Sequence, residues 1–195
     1  MKKFLLIGAL VLFNLAHAQK GSYLVSGNVN YFSRNNSNNA SNDYQYFGFS
    51  PKVGYQFTDR FTLGIESSIN QNKWTNDINS YEYKRNGFSI GSFLRYSKSL
   101  NDSFSLFADL GVGYQTIKDY TSDDNNINPA ITEGKGFYTT LQPLLHLKIK
   151  NNFGINFGLG GISFDSLNYE ESTNKVNSFN ISFGQAFTIG IQKTF

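Results

Sequence analysis

The chain has 195 residues, no cysteine, 16% aromatic residues and a formal charge of +3. A disulfide framework, a thiolate metal site and lipidation of a cleavage-site cysteine are thereby excluded. Mean hydropathy is −0.35 and no apolar run after the first twenty residues is long enough for a membrane helix.

Lys2 and Lys3 precede an apolar run from Phe4 to Leu15, followed by "AHAQ". This is the pattern of a secretory signal peptide, residues 1–18, with cleavage expected after Ala18. The run is shorter than the roughly 20 residues a spanning helix needs. Removing Lys2 and Lys3 lowers the formal charge from +3 to +1, so the basic balance gives no argument for a nucleic-acid partner.

Beyond the leader, a two-residue period recurs along the chain and predicts eight strands, at about 22–33, 44–57, 61–72, 83–98, 103–118, 136–150, 153–165 and 178–195. The first alternates Tyr23, Val25, Val29 and Tyr31 with polar neighbours; the third does so with Phe61, Leu63, Ile65 and Ile69. The last puts Phe179, Ile181, Phe183, Phe187, Ile189, Ile191 and Phe195 on one face. Its other face is small or polar. Pro51 and Pro143 fall inside predicted strands, where each removes a ladder donor. Bulges or kinks are expected at both, with a shift of the alternation by one residue on one side.

The connections alternate in length. "TDR" (58–60), "SLND" (99–102) and "NN" (151–152) are short, whereas 34–43, 73–82, 119–135 and 166–177 are long and rich in Asn, Ser and Asp. Short turns on one side, long polar loops on the other, and strands beyond the usual five or six residues specify an antiparallel up-and-down transmembrane β-barrel with periplasmic turns and extracellular loops. An apolar face in lipid requires closure, because an open edge would leave backbone groups unpaired in hydrocarbon. In a soluble sandwich or lipocalin-like barrel the small face would meet water, yet it carries Gly, Ser, Thr and Asn where Lys and Glu are usual.

The signal peptide, the alternation, the loop asymmetry and the terminal Phe195 together resemble the small eight-stranded outer-membrane barrels of the OmpA/OmpX-like group. The likeness is greatest to the barrel-only proteins of Bacteroidetes-type bacteria. The resemblance implies one barrel domain over 19–195, residence in the bacterial outer membrane, and contact with outer-membrane lipids. It also implies that Phe195 is part of the signal read by the barrel-assembly machinery, and that no periplasmic wall-binding domain follows.

With the N-terminus periplasmic, the polar positions face the lumen. They include Lys52, Glu66, Arg95, Asp109 and His146, with Lys148 one inward step below His146. The signs alternate between strands, and Lys52 and Glu66 are equidistant from Asp59 at the turn, so they are expected to pair directly. Arg95 and Asp109 form a second expected pair, with His146 beside it. An eight-stranded lumen has room for side chains, so such charges read as a structural plug. The competing reading is a narrow path for ions or small solutes.

The third reading is an outer-membrane lipid hydrolase, but His146 is the one histidine after the leader and stands near the periplasmic end with no nucleophile beside it. No phosphate loop, zinc spacing or nucleophile elbow is present, and no cofactor or metal is expected. "DYTSDDNNIN" (119–128) is acidic but lacks the spacing of a calcium-binding loop. With Asp165 at the edge of the last one, the long loops hold ten of the fourteen acidic residues and are the expected surface for an extracellular ligand or protein.

Overall fold

The structure is a computed structural model that describes residues 21–35, 42–76, 81–122, 130–170 and 175–195. The leader, Asp77, Asp123, Asp124, Glu171 and the Phe187 side chain lie outside the described residues. Eight antiparallel strands close into a barrel in sequence order: β1 (Tyr23–Arg34), β2 (Asn42–Gln56), β3 (Phe61–Asn76), β4 (Tyr81–Ser99), β5 (Phe104–Ser122), β6 (Ala130–Lys150), β7 (Phe153–Tyr169) and β8 (Lys175–Thr194).

The alternation sets the wall. Val29, Leu63, Ile65, Leu110, Val112, Ile181 and Ile189 point outward and are exposed, as lipid-facing residues must be. Tyr23 meets Tyr55 at a ring separation of 5.3 Å, and Phe61 meets Tyr96 at 5.5 Å, at the end with the short turns. Tyr114 and Phe137 pair at 5.7 Å toward the other. These are the positions of interfacial aromatic girdles.

Each short turn has a local cause. Thr58 Oγ1 accepts the amides of Arg60 and Phe61 at 3.3 and 3.0 Å. Asn101 Oδ1 accepts those of Ser103 and Phe104 at 3.0 and 2.9 Å. Asn151 and Asn152 adopt φ of 52° and 57°, the two-residue hairpin geometry that asparagine tolerates.

Several expectations need correction. The strands run further at the long-loop end: β3 reaches Asn76, β5 reaches Ser122 and β6 begins at Ala130. Asp43, Glu82, Asp119 and Glu133 therefore belong to strands rather than loops. Polar composition hid this extension, because above the bilayer a strand's outward face must itself be polar. At Pro51 the register does not shift: Phe49↔Ile69 and Lys52↔Glu66 keep one frame. Opposite Pro143 a shift does occur, between Leu141 and Leu144, but β6 stays in frame with β5 through Ala108↔Pro143. The extra residue lies in β7, where Gly160 takes φ 99°, and the inward parity of β7 changes there. A neighbouring irregularity in β8 has Gly184 at φ 71°.

Among the described residues the β1–β8 seam is the shortest ladder, from Leu24↔Thr194 to Asn28↔Gly190. Below it, Phe195 N donates to Tyr23 O at 2.9 Å and Tyr23 N to Phe195 O at 3.1 Å. The last residue thus makes the last rung of closure.

Candidate functional site: a charge layer across the lumen

Lys52 and Glu66 are Cα partners, and Lys52 Nζ lies 2.8 Å from Glu66 Oε2. Arg95 and Asp109 are also Cα partners and meet two-pronged, Nε–Oδ1 2.6 Å and Nη2–Oδ2 2.8 Å. The two pairs are joined: Lys52 Nζ reaches Asp109 Oδ2 at 3.2 Å. Two cations and two anions therefore form one neutral cluster.

Uncharged groups extend it at both ends. Tyr138 Oη donates to Glu66 Oε1 at 2.9 Å. Arg95 Nη1 donates to Gln192 Oε1 at 2.6 Å, and that oxygen also accepts Asn156 Nδ2 at 3.1 Å. His146 Nδ1 donates to Asn156 Oδ1 at 2.7 Å. The chain of contacts from Tyr138 to His146 draws side chains from seven of the eight strands, all but β1. Phe93 is buried between the cations, its ring 5.2 Å from Lys52 Nζ and 5.9 Å from Arg95 Cζ. Phe107 lies 4.6 Å from Arg95 Cζ and stacks on His146 at 4.9 Å.

The backbone makes room for these groups. A Cβ on Gly111 would collide with the Glu66 carboxylate, and one on Gly154 with the His146 ring. Glycine at these lumen-facing positions lets long side chains lie across the wall.

His146 is linked to the Arg95–Asp109 pair through Gln192 and Asn156, not directly to Asp109 as its position suggested. Its Cα partner on β5 is Ser105, whereas that of Asp109 is Gln142, four residues away along β6. Lys148 does not join the cluster; it is exposed at the mouth on the short-turn side. Tyr138, Asn156, Gln192, Phe93 and Phe107 escaped the sequence reading. Parity from Asp109 would have found Phe107, and parity from Arg95 would have found Phe93. Nothing local marks a single amide such as Asn156 as a link.

The layer divides the lumen. Above it is a cavity of about 480 Å³ walled largely by hydroxyls and amides, including Asn28, Ser68, Gln115 and Asn180. Below it is one of about 430 Å³ that reaches Asp59, Lys148 and Phe195. A gap of about 40 Å³ lies between, beside Lys52, Arg95 and Asp109. Asn28 Oδ1, on the wall shared by the upper cavity and the gap, is buried without a protein partner. Among the described residues no group of three or more His, Cys, Asp and Glu side chains could hold a metal ion. Asp119, the described acid of the 119–128 segment, is already held by Arg85 at 2.7 Å.

The barrel architecture recurs in solved structures at low sequence identity. A major outer membrane protein of Thermus thermophilus superposes with a TM-score of 0.56 at 12% identity, covering 92% of this chain and 100% of that one. Ail, the attachment invasion locus protein of Yersinia pestis, gives 0.49 at 16%, covering 91% and 100%. Neisserial surface protein A gives 0.47 at 10%, covering 89% and 97%. No curated protein matches the sequence. Residues 4–187 match the family model described as the outer membrane protein beta-barrel domain, and the chain belongs to that family.

Proposed function

We propose that this is a closed, non-enzymatic barrel of the outer membrane that acts through its extracellular end, its lumen filled by a structural plug. The observation that carries the reading is the neutral chain of contacts from Tyr138 through Glu66, Lys52, Asp109 and Arg95 to Gln192, Asn156 and His146. In a barrel of this size, ion pairs with every partner satisfied replace a hydrophobic core at little net cost. Such a layer narrows the lumen to a gap of about 40 Å³ beside Lys52, Arg95 and Asp109. The leader 1–18 is removed on export in this reading, and Phe195 is read by the assembly machinery during insertion.

The second reading is a narrow channel, favoured by the polar cavities on both sides of the layer. Proteoliposome swelling separates the two: wild-type protein is expected to admit neither salts nor small sugars, and swelling above that of empty liposomes would favour the channel. A lipid hydrolase would change the mass spectrum of outer-leaflet lipids on expression. No such change is expected, since His146 bonds an amide and a ring rather than a nucleophile.

A further inference from the structure

Near the extracellular rim the wall inverts its polarity. Within the apolar band, Ile69 and Phe88 are outward Cα partners, with Ser68 and Gly87 among the inward residues beside them. Two outward rungs higher the face carries Lys73 opposite Lys84, and one rung further Glu82, which Lys73 bonds at 3.1 Å. The inward positions at that level, counted in twos from Lys52, Glu66 and Arg95, are Tyr44, Trp74 and Tyr83. They form one row, Tyr44 opposite Trp74 and Trp74 opposite Tyr83. Phe32 extends the row onto β1, its ring 5.9 Å from that of Tyr44. The outward charges put this row above the hydrocarbon, in water.

Rings that serve as a core are covered. Here Trp74 is 44% exposed and Phe32 50%. The phenols are tied at their edges: Tyr44 Oη donates to Asn72 Oδ1 at 2.9 Å and Tyr83 Oη to Asp119 Oδ1 at 2.9 Å. These bonds fix the rings in place. Arg85 meets Asp119 two-pronged, both distances 2.7 Å, so the cation and anion beside the rings cancel. Two fixed phenols beside two exposed rings, with the Asn72 amide at their edge and the Arg85–Asp119 charges cancelled, fit the chemistry of a sugar. A pyranose stacks its C–H face on a ring and exchanges hydrogen bonds with amide groups.

We propose that the inner wall formed by Phe32, Tyr44, Trp74 and Tyr83 binds a neutral oligosaccharide at the extracellular mouth. The proposal rests on the reading that the protein acts through its extracellular end; it is independent of whether the charge layer conducts. Arg34, opposite Tyr44 at the end of β1, is an exposed cation and is the feature that would favour an acidic glycan instead.

Trp74 is the single tryptophan of the chain, so its emission reports on this wall. The full-length protein in nanodiscs is titrated with maltotriose, cellotriose and mannotriose, and with a galacturonic acid trimer. A saturable emission shift with at least one neutral sugar is expected. Binding should weaken at least tenfold in Tyr44→Leu and Tyr83→Leu, with heat-modifiable gel mobility showing that both variants fold. Acrylamide should quench Trp74 readily in the free protein. The proposal is overturned by a shielded Trp74, by no response to the neutral sugars, by a response to the uronate alone, or by undiminished binding in the tyrosine variants. Crosslinking intact cells through surface lysines keeps the two readings apart. Partners recovered there without sugar binding would leave the surface-acting reading standing and remove this one.

Discussion

Arg95 and Asp109, directly opposite on β4 and β5, are 2% and 1% exposed and meet through two hydrogen bonds of 2.6 and 2.8 Å. A charge that far from water is tolerable when its partner is fixed. Removing one partner, by Arg95→Met or Asp109→Leu, is expected to destabilise the barrel in urea by about 3–5 kcal/mol. The double variant leaves Lys52 and Glu66 as a neutral pair and should recover much of that loss. Additive losses would show that the interaction is not energetically coupled.

Lys52 serves two carboxylates, Glu66 at 2.8 Å and Asp109 at 3.2 Å, so the two members of that pair are not equivalent. Lys52→Met leaves two anions facing one cation. Glu66→Gln leaves Lys52 on Asp109 and keeps an acceptor for Tyr138. The lysine change should therefore cost more, about 3–5 kcal/mol against about 1–3 for the glutamate change. The double variant should fall below the lysine change alone. Equal costs for the two single changes in urea titrations would contradict this.

How much of this was legible beforehand follows from range. Parity and distance from a turn are local quantities, and they paired Lys52 with Glu66 and Arg95 with Asp109 across adjacent strands. The Lys52–Asp109 contact crosses the lumen between strands that are not neighbours, and no sequence period reports it. Gly160 was readable as a strand glycine, but not as the site where β7 changes its inward parity, because that depends on the register with β6. The aromatic row at the rim was hidden for a related reason. Trp74 and Tyr83 stand beside Lys73 and Lys84, and at that height the polar face is the outward one, so the segments read as loops and loop boundaries.

Tyr83 supplies a pH test at the rim, outside the membrane. Burial first, and then its bond to Asp119, push its phenol up from 10 to about 12. A raised acid favours its protonated form, so the stability this bond contributes is present below pH 10 and is lost as pH rises through about 12. Titration of tyrosine absorbance should show a late-ionising phenol near pH 12 that is absent in Tyr83→Phe and moves toward 10 in Asp119→Asn. An unchanged titration curve in Tyr83→Phe would count against the assignment.

Phe195 has two separable roles. Its backbone closes the β1–β8 seam with Tyr23 at 2.9 and 3.1 Å, and its ring lies 4.7 Å from Lys193 Nζ. Phe195→Ala keeps the backbone rung and removes the ring, whereas deletion removes both. If the ring is the assembly signal, both variants should lower the outer-membrane yield and raise periplasmic degradation. If closure alone matters, Phe195→Ala should insert normally and the deletion should fail.

In the proposed reading, the layer of Lys52, Glu66, Arg95 and Asp109 closes the lumen. Single-channel recording in planar bilayers tests it most directly. Wild-type protein should give no discrete conductance steps in molar potassium chloride at neutral pH. Removing a plug cation by Lys52→Met should give openings if the barrel stays folded. Regular steps from the wild type, with an ion selectivity that Lys52→Met or Asp109→Leu alters, would contradict the closed-plug account and make the barrel a channel.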